Sequence, residues 1–311
     1  DPFVWGMQSL SWQSWGAFMA MVLVSLWMAR QHLMAVVRHA FWRGVRLDDR
    51  GELLPYRVAV FGLLAGLIYI LWWLWRLGME MPIACLFIFG VLVAYVGITR
   101  LVVQTGLYYI TSPVVSQAFT LAITGTGIAP SNLVALSLSY SWFGDVQTIF
   151  MASTVHATRL DRTGTGSRRL GLAIGLAVVL GFAAAIYTLL HLCYQYGGGN
   201  FVSWIYQAGA GAGGIAFGSV AGHLLNPAPT DWVKLSYFGI GALVYAALAV
   251  CQYRFHWWPL HPLGFIIGNG WLTQTIWFSV FLAWLLKYTI MKYGGMTRYL
   301  ASRPFFIGVI L

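Results

Sequence analysis

The chain has 311 residues, of which 59% are hydrophobic and only 8% charged, and apolar runs of about twenty residues recur along its length. Those proportions exclude a soluble domain and describe a polytopic, all-α transmembrane helical bundle. The net charge of +10 does not point to nucleic acid, because the basic residues cluster in short loops between apolar runs; the partner expected is the lipid bilayer.

Trp5, Trp12 and Trp15 precede the first predicted span, residues 16–37, as an interfacial lead-in of the kind that sixteen tryptophans can supply. The loop behind it carries Arg38, Arg43, Arg46, Arg50 and Arg57 against Asp48, Asp49 and Glu52, which places it in the cytoplasm by the positive-inside rule. Predicted spans at 57–75 and 82–101 go out and return. Gly62 and Gly66 give the first of these a small-xxx-small face. Arg100, at the inner end of the third span, and Arg30 in the first are expected to snorkel to the headgroups.

The stretch TSPVVSQAFTLAITGTGIAPSN, residues 111–132, is long enough to cross a bilayer but is punctuated by Pro113, Gly125, Gly127 and Pro130. It therefore cannot be a plain helix. Thr120, Thr124, Thr126, Ser131 and Asn132 supply oxygens beside the freed backbone groups, and irregular backbone at membrane depth survives only where protein buries it or water reaches it. The fourth predicted span, residues 107–130, is thus a candidate cavity wall. The fifth, residues 133–158, carries Asp145, the acid placed deepest in any apolar stretch, with Ser141, Ser137 and Tyr140 one or two turns away at helical spacing. An intramembrane acid marks an ion or substrate path unless it is tied down for structure by Arg100 or by Ser and Thr hydroxyls. The span ends at Arg159, Arg162, Arg168 and Arg169, again inside.

A sixth span at 170–194 leads out to the turn YGGGN, and a Gly-rich seventh at 201–225 comes in. On it Gly214, Gly218 and Gly222 share one face, suited to close approach of a neighbouring helix; an unwound segment at a substrate site is the alternative. An eighth span at 233–252 goes out to the turn segment WWPLHPLGFIIGNGW, and a ninth at 271–291 returns to Lys287, Lys292, Arg298 and Arg303. This course, with the N-terminus outside, leaves only Arg76 and Arg254 on the outer side. Spans four and seven could instead be re-entrant, and if only one of them were, the parity would break. The chain is expected to be a single transmembrane domain, residues 1–311, of a longer protein, because RPFFIGVIL reads as the first half of another span.

Cys85, Cys193 and Cys251 are odd in number, far apart and in apolar surroundings, so they are read as packing residues. His191, His223 and His261 keep no metal-ligand spacing, and neither a metal nor another cofactor is expected. The run AGAGAGGIAFGSVAG lacks the lysine and hydroxyl residue that end a phosphate loop and follows no strand. An intramembrane enzyme would need a nucleophile with its base, or a metal set, and no such spacing is present.

HPLGF with the Gly-rich turn behind it, TSPVVSQAF, and KYGGMTRYLASRPFFIG together resemble a group of prokaryotic multi-span proteins of unknown function built from paired domains, a group distantly similar to oligopeptide transporters. The resemblance covers most of the chain, as the C-terminal half of a longer protein, and brings no site residues with it. It implies a transporter of the prokaryotic cytoplasmic (inner) membrane. The site expected is formed by Asp145, Ser141, Thr124, Thr126 and Asn132 beside the Gly-rich seventh span, working by alternating access. The competing expectation is a non-catalytic scaffold whose broken helices and Gly faces pack against other membrane subunits or further copies of the chain.

Overall fold

The computed structural model describes residues 7–42, 52–107, 110–143, 150–160, 167–200 and 212–310. Among these residues every regular element is helical: α1 (Gln8–Phe41), α2 (Tyr56–Arg76), α3 (Met81–Thr105), α4 (Ser116–Thr124), α5 (Pro130–Phe143), α6 (Phe150–Leu160), α7 (Ser167–Tyr196), α8 (Ala212–Leu225), α9 (Trp232–Arg254), α10 (Pro262–Ile267) and α11 (Trp271–Ile310). Five of them, α1, α2, α3, α7 and α9, are long and apolar enough to cross a membrane. The chain is an all-helical membrane protein. The first, second, third, sixth and eighth predicted spans correspond to these five helices.

The remaining predicted spans take other forms. The fourth is reduced to the nine-residue α4, about 13 Å of helix where about twenty residues are needed to cross. The fifth is divided between α5 and α6, with residues 144–149 outside the described residues. Only the second half of the seventh is described, as α8. The ninth forms the first part of α11, a 40-residue helix interrupted at Gly295, where φ is 68°. Among the described residues the helices long and apolar enough to cross number five, and the other expected spans are broken, divided or partly outside the described residues.

The core gathers around α1 and α3. Trp12, Trp15, Phe18 and Met21 of α1 and Phe87, Ile98 and Leu101 of α3 are fully or almost fully buried. Trp15 stacks on Phe18 at 5.3 Å and meets Phe119 of α4 edge-on at 5.8 Å. Close approach depends on glycine at two places: a Cβ on Gly16 would overlap the carbonyl of Phe238, and one on Gly241 the backbone of Gln13. α1 and α9 thus meet backbone to backbone, the kind of packing that holds helices together where lipid offers no hydrophobic drive.

The direction of α9 departs from the predicted course. At one end of the bundle the Asn132 side chain, near the start of α5, accepts from Glu80 N at 2.7 Å, just ahead of α3; Asp231 N and the Thr230 hydroxyl, just ahead of α9, donate to Ala122 and Ile123 of α4. At the other end Arg100 and Gln104 of α3 border the same cavity as Tyr245 and Gln252 of α9. α3 and α9 consequently run parallel, whereas alternating spans placed them in opposite senses. Gln252 and Arg254 lie at the Arg100 end, which removes Arg254 from the two basic residues left on the outer side. The start of α7 keeps its predicted neighbour, since a Cβ on Gly171 would lie 3.6 Å from Leu53 O in the segment preceding α2.

Candidate functional site

α4 is the helical half of a crossing segment whose first half is not helical. Residues 110–115 ahead of it form no helix, yet Ile110, Ser112, Val114 and Val115 are buried. Pro113 cannot donate a backbone hydrogen bond there, and the Ser112 hydroxyl supplies one locally, to Val114 O at 2.6 Å. α4 starts beside the middle of α3, where a Cβ on Gly90 would lie 3.1 Å from Ser116 Oγ. From there it runs antiparallel to α3 and ends near the start of that helix. From the middle of α3 onward the segment before α5 therefore returns along the bundle as helix, after a non-helical stretch at residues 110–115.

The helix stops at Gly125, whose φ of 74° suits glycine, and whose amide closes back on Leu121 O at 2.9 Å. Ending there frees the last carbonyls of α4, which need partners. The segment between α8 and α9 provides them. Thr230 Oγ1 donates to Ile123 O at 2.9 Å and Asp231 N to Ala122 O at 3.1 Å. Thr126 N donates to Ala228 O at 2.8 Å, and its hydroxyl accepts from Ala228 N at 2.7 Å. The fit leaves no room at the break, because a Cβ on Gly125 would come within 2.7 Å of Ala228 O. Asp231 also begins α9, its carboxylate accepting from Lys234 N at 3.0 Å and pairing with Lys234 Nζ at 3.3 Å.

Nearer the start of α4, polar side chains are buried between helices. Gln117 and Ser139 are 1% and 0% exposed, and Gln117 Nε2 donates to Ser139 Oγ at 3.0 Å. Ser139 in turn donates to Leu136 O at 2.6 Å. Gln117 Oε1 is buried with no hydrogen-bond partner among the described residues. Gln117 lines a cavity of about 10 Å³ together with Ser137 of α5 and Ser219 and His223 of α8, space for about one water molecule. An unpaired buried carbonyl oxygen costs about 1–3 kcal/mol. It is an acceptor ready for a water, a cation or a donor group of a substrate.

The predicted site residues divide accordingly. Thr124 stays local, donating to Thr120 O at 3.0 Å. Thr126 holds the segment after α8, and Asn132, fully buried, caps the approach to α3 while its Nδ2 has no partner among the described residues. The backbone of Ser141 belongs to α5, but its side chain and all of Asp145 lie outside the described residues. Of the Gly face, Gly214 is placed in α8 by its backbone; Gly218 and Gly222 have nothing among the described residues within 4 Å of a Cβ. Gly62 and Gly66 on α2 are equally open. Among the described residues, backbone-to-backbone approach at glycine is seen at Gly16 and Gly241. Arg100 does not simply reach outward, for Nη1 donates to Met21 O of α1 and Nε to Gln104 Oε1, each at 3.3 Å.

Gln117, Ser139, Ser219 and His223 were not predicted as site residues. Gln117 had a readable signal, an amide inside the apolar stretch of 111–132, but the threonines around the glycines drew attention to the other end of the segment. The nearness of α8 had none, since nothing in local sequence pairs residue 117 with residue 223.

The chain belongs to a family of unknown function, DUF6785, whose model matches residues 3–311. No curated protein and no solved structure matches it.

Proposed function

We propose that this member of a family without an assigned function is a transporter of a prokaryotic inner membrane, distantly related to oligopeptide carriers, and not an enzyme. Its substrate path runs between the half-helical fourth segment, α5 and α8. One observation carries the reading: a buried segment, non-helical first and helical second, flanked by the unpaired carbonyl of Gln117 at a small cavity that Ser137, Ser219 and His223 also line. Discontinuous segments of this kind bring backbone and side-chain ligands to the middle of a membrane, and rocking of the elements around them gives alternating access.

Asp145, which follows α5 in sequence, is the group proposed to couple substrate movement to a proton or cation. Desolvation raises the pKa of a carboxyl, and a bound cation or arginine lowers it, so proton exchange near neutral pH requires desolvation to outweigh the rest. The reading is tested by replacing Cys85, Cys193 and Cys251 and placing a single cysteine at Ser137. A small cationic thiol reagent applied to proteoliposomes modifies that cysteine if the cavity opens to water during a cycle. A cysteine that stays unmodified from both sides refutes the path. Asp145→Asn then folds and inserts normally but abolishes proton or cation flux followed with a dye inside the vesicles. Unchanged flux refutes the coupling role, and failure to fold assigns Asp145 a structural ion pair.

A second reading, a scaffold within a larger membrane assembly or homo-oligomer, is favoured by α7. None of its most apolar eighteen-residue stretch is buried among the described residues, and such a face suits contact with other subunits as well as lipid. A dry, unreactive Ser137→Cys together with a stable oligomer in mild detergent selects this reading over transport.

A further inference from the structure

An open cavity of about 570 Å³ lies between the last turns of α3 and α9 and the start of α10, within the size range that encloses a small organic molecule. Its polar lining is Arg100, Gln104, Tyr245, Gln252 and His261, and no carboxylate is among the described residues around it. The cavity is distinct from the one beside Gln117, and it stands whether the chain transports or scaffolds.

Hydrogen-bonding capacity decides what it takes. Arg100 spends Nε on Gln104 Oε1 and one hydrogen of Nη1 on Met21 O, and the described residues give its Nη2 no partner. Because Arg100 occupies the Gln104 carbonyl, the amide NH2 is what Gln104 has left to offer. His261 Nδ1 accepts from Leu263 N at 3.2 Å, so in the neutral ring the proton sits on Nε2, a second donor. The Tyr245 hydroxyl and the Gln252 amide add further donors. The carboxyl-terminal dipoles of α3 and α9 oppose an anion beside Gln104 and Gln252, in the last turns, but Arg100 lies more than one turn before Thr105, where that effect has fallen off and the guanidinium charge outweighs it. An arginine lining a cavity, with donors around it and no acid among the described residues, is matched by an oxyanion, which a guanidinium binds with two parallel hydrogen bonds.

We infer that this cavity is a binding site for an organic oxyanion, a carboxylate or phosphate, held by Arg100 with Gln104, Gln252 and His261. Two sources share that chemistry, a soluble organic acid and the headgroup of an anionic lipid.

The test uses the full chain in phosphatidylcholine nanodiscs, titrated with succinate or with inorganic phosphate against choline chloride at matched ionic strength while thermal unfolding is followed. A parallel series uses nanodiscs containing phosphatidylglycerol. A saturable rise in unfolding temperature with either anion in phosphatidylcholine assigns a soluble ligand. A rise produced by phosphatidylglycerol alone assigns the headgroup. Arg100→Gln weakens either response about tenfold, the worth of one charge-assisted hydrogen bond. That variant also loses the bond to Met21 and can fail to fold, so Gln252→Leu serves beside it, weakening the response about threefold through loss of a neutral bond. No saturable response in either lipid overturns the site, and so does a response that Gln252→Leu leaves unchanged.

Discussion

α3 and α7 are nearly equal in hydropathy, 2.4 and 2.3 over their most apolar eighteen residues, yet among the described residues 56% of the first stretch is buried and none of the second. In a membrane both surroundings are apolar, so hydropathy places a helix in the bilayer without saying whether lipid or protein touches it. The difference lies in shape. On α3 a Cβ on Gly97 would overlap the ring of Phe18, and Gly90 admits Ser116 and Phe119. On α7 a Cβ on Gly175 or Gly181 meets nothing among the described residues within 4 Å. Small residues mark a contact only where a partner fills the space they leave. Gly218 and Gly222 of α8 follow α7 in this respect.

The largest test of this contrast is all-or-none and concerns the packed half, whose helices have fixed relative directions. In a background lacking the native thiols, cysteines at Gln104 and Arg254 should react with an impermeant reagent from the same face of the membrane, and a cysteine at Gly127 from the opposite face. Labelling of Gln104 and Arg254 from opposite faces would restore the alternating course and break the parallel arrangement of α3 and α9.

Next in size is Gly241→Leu, which forces a side chain into the backbone of Gln13 and should cost about 3 kcal/mol or more, seen as loss of the monodisperse folded peak in detergent. Gly181→Leu on α7 should change stability by less than about 0.5 kcal/mol. Equal effects at the two positions would mean that α7 is packed in the isolated protein.

Gly125→Ala should cost about 2 kcal/mol or more, since it combines a positive φ with a clash against Ala228 O. Gly127→Ala, two residues on and in open space, serves as the control. Thr230→Val leaves the Ile123 carbonyl without its side-chain donor and should lower stability by about 1–2 kcal/mol in chemical denaturation. The smallest effect belongs to Gln117→Leu. It loses the bond to Ser139 but also removes a buried unpaired oxygen, so the net change should stay within about 1 kcal/mol. A large loss there would show that Gln117 is already paired, and its cavity would no longer be a site.

Much of this was legible in order along the chain. Hydropathy located α1, α2, α3, α7 and α9 to within a few residues at most ends, except that α1 begins eight residues before its predicted span, because apolar runs of that length have few alternatives to a membrane helix. Pro113, Gly125 and Pro130 announced that the fourth segment is broken, since missing donors and positive φ are local properties of those residues. The threonines beside the break were read as partners for freed backbone; the Thr126 hydroxyl instead accepts from Ala228 N of the segment after α8.

What the sequence could not fix was everything that depends on which helices touch. A Gly repeat is the same pattern whether a helix, lipid or nothing lies opposite, so nothing in the sequence singled out Gly16 and Gly241, where the backbones of α1 and α9 meet. Parity arguments assume that every apolar stretch crosses once, and a segment that is helical only in its second half, or one divided like 133–158, satisfies composition without obeying that count. The sequence by itself determined a helical membrane protein with a broken fourth segment, because bilayer thickness and backbone chemistry act residue by residue. Only the tertiary structure decided that α3 and α9 run parallel, that the segment after α8 satisfies the end of α4, and that Gln117 faces Ser139 across 22 positions. Those outcomes depend on contacts between residues distant in the chain, which no local pattern encodes.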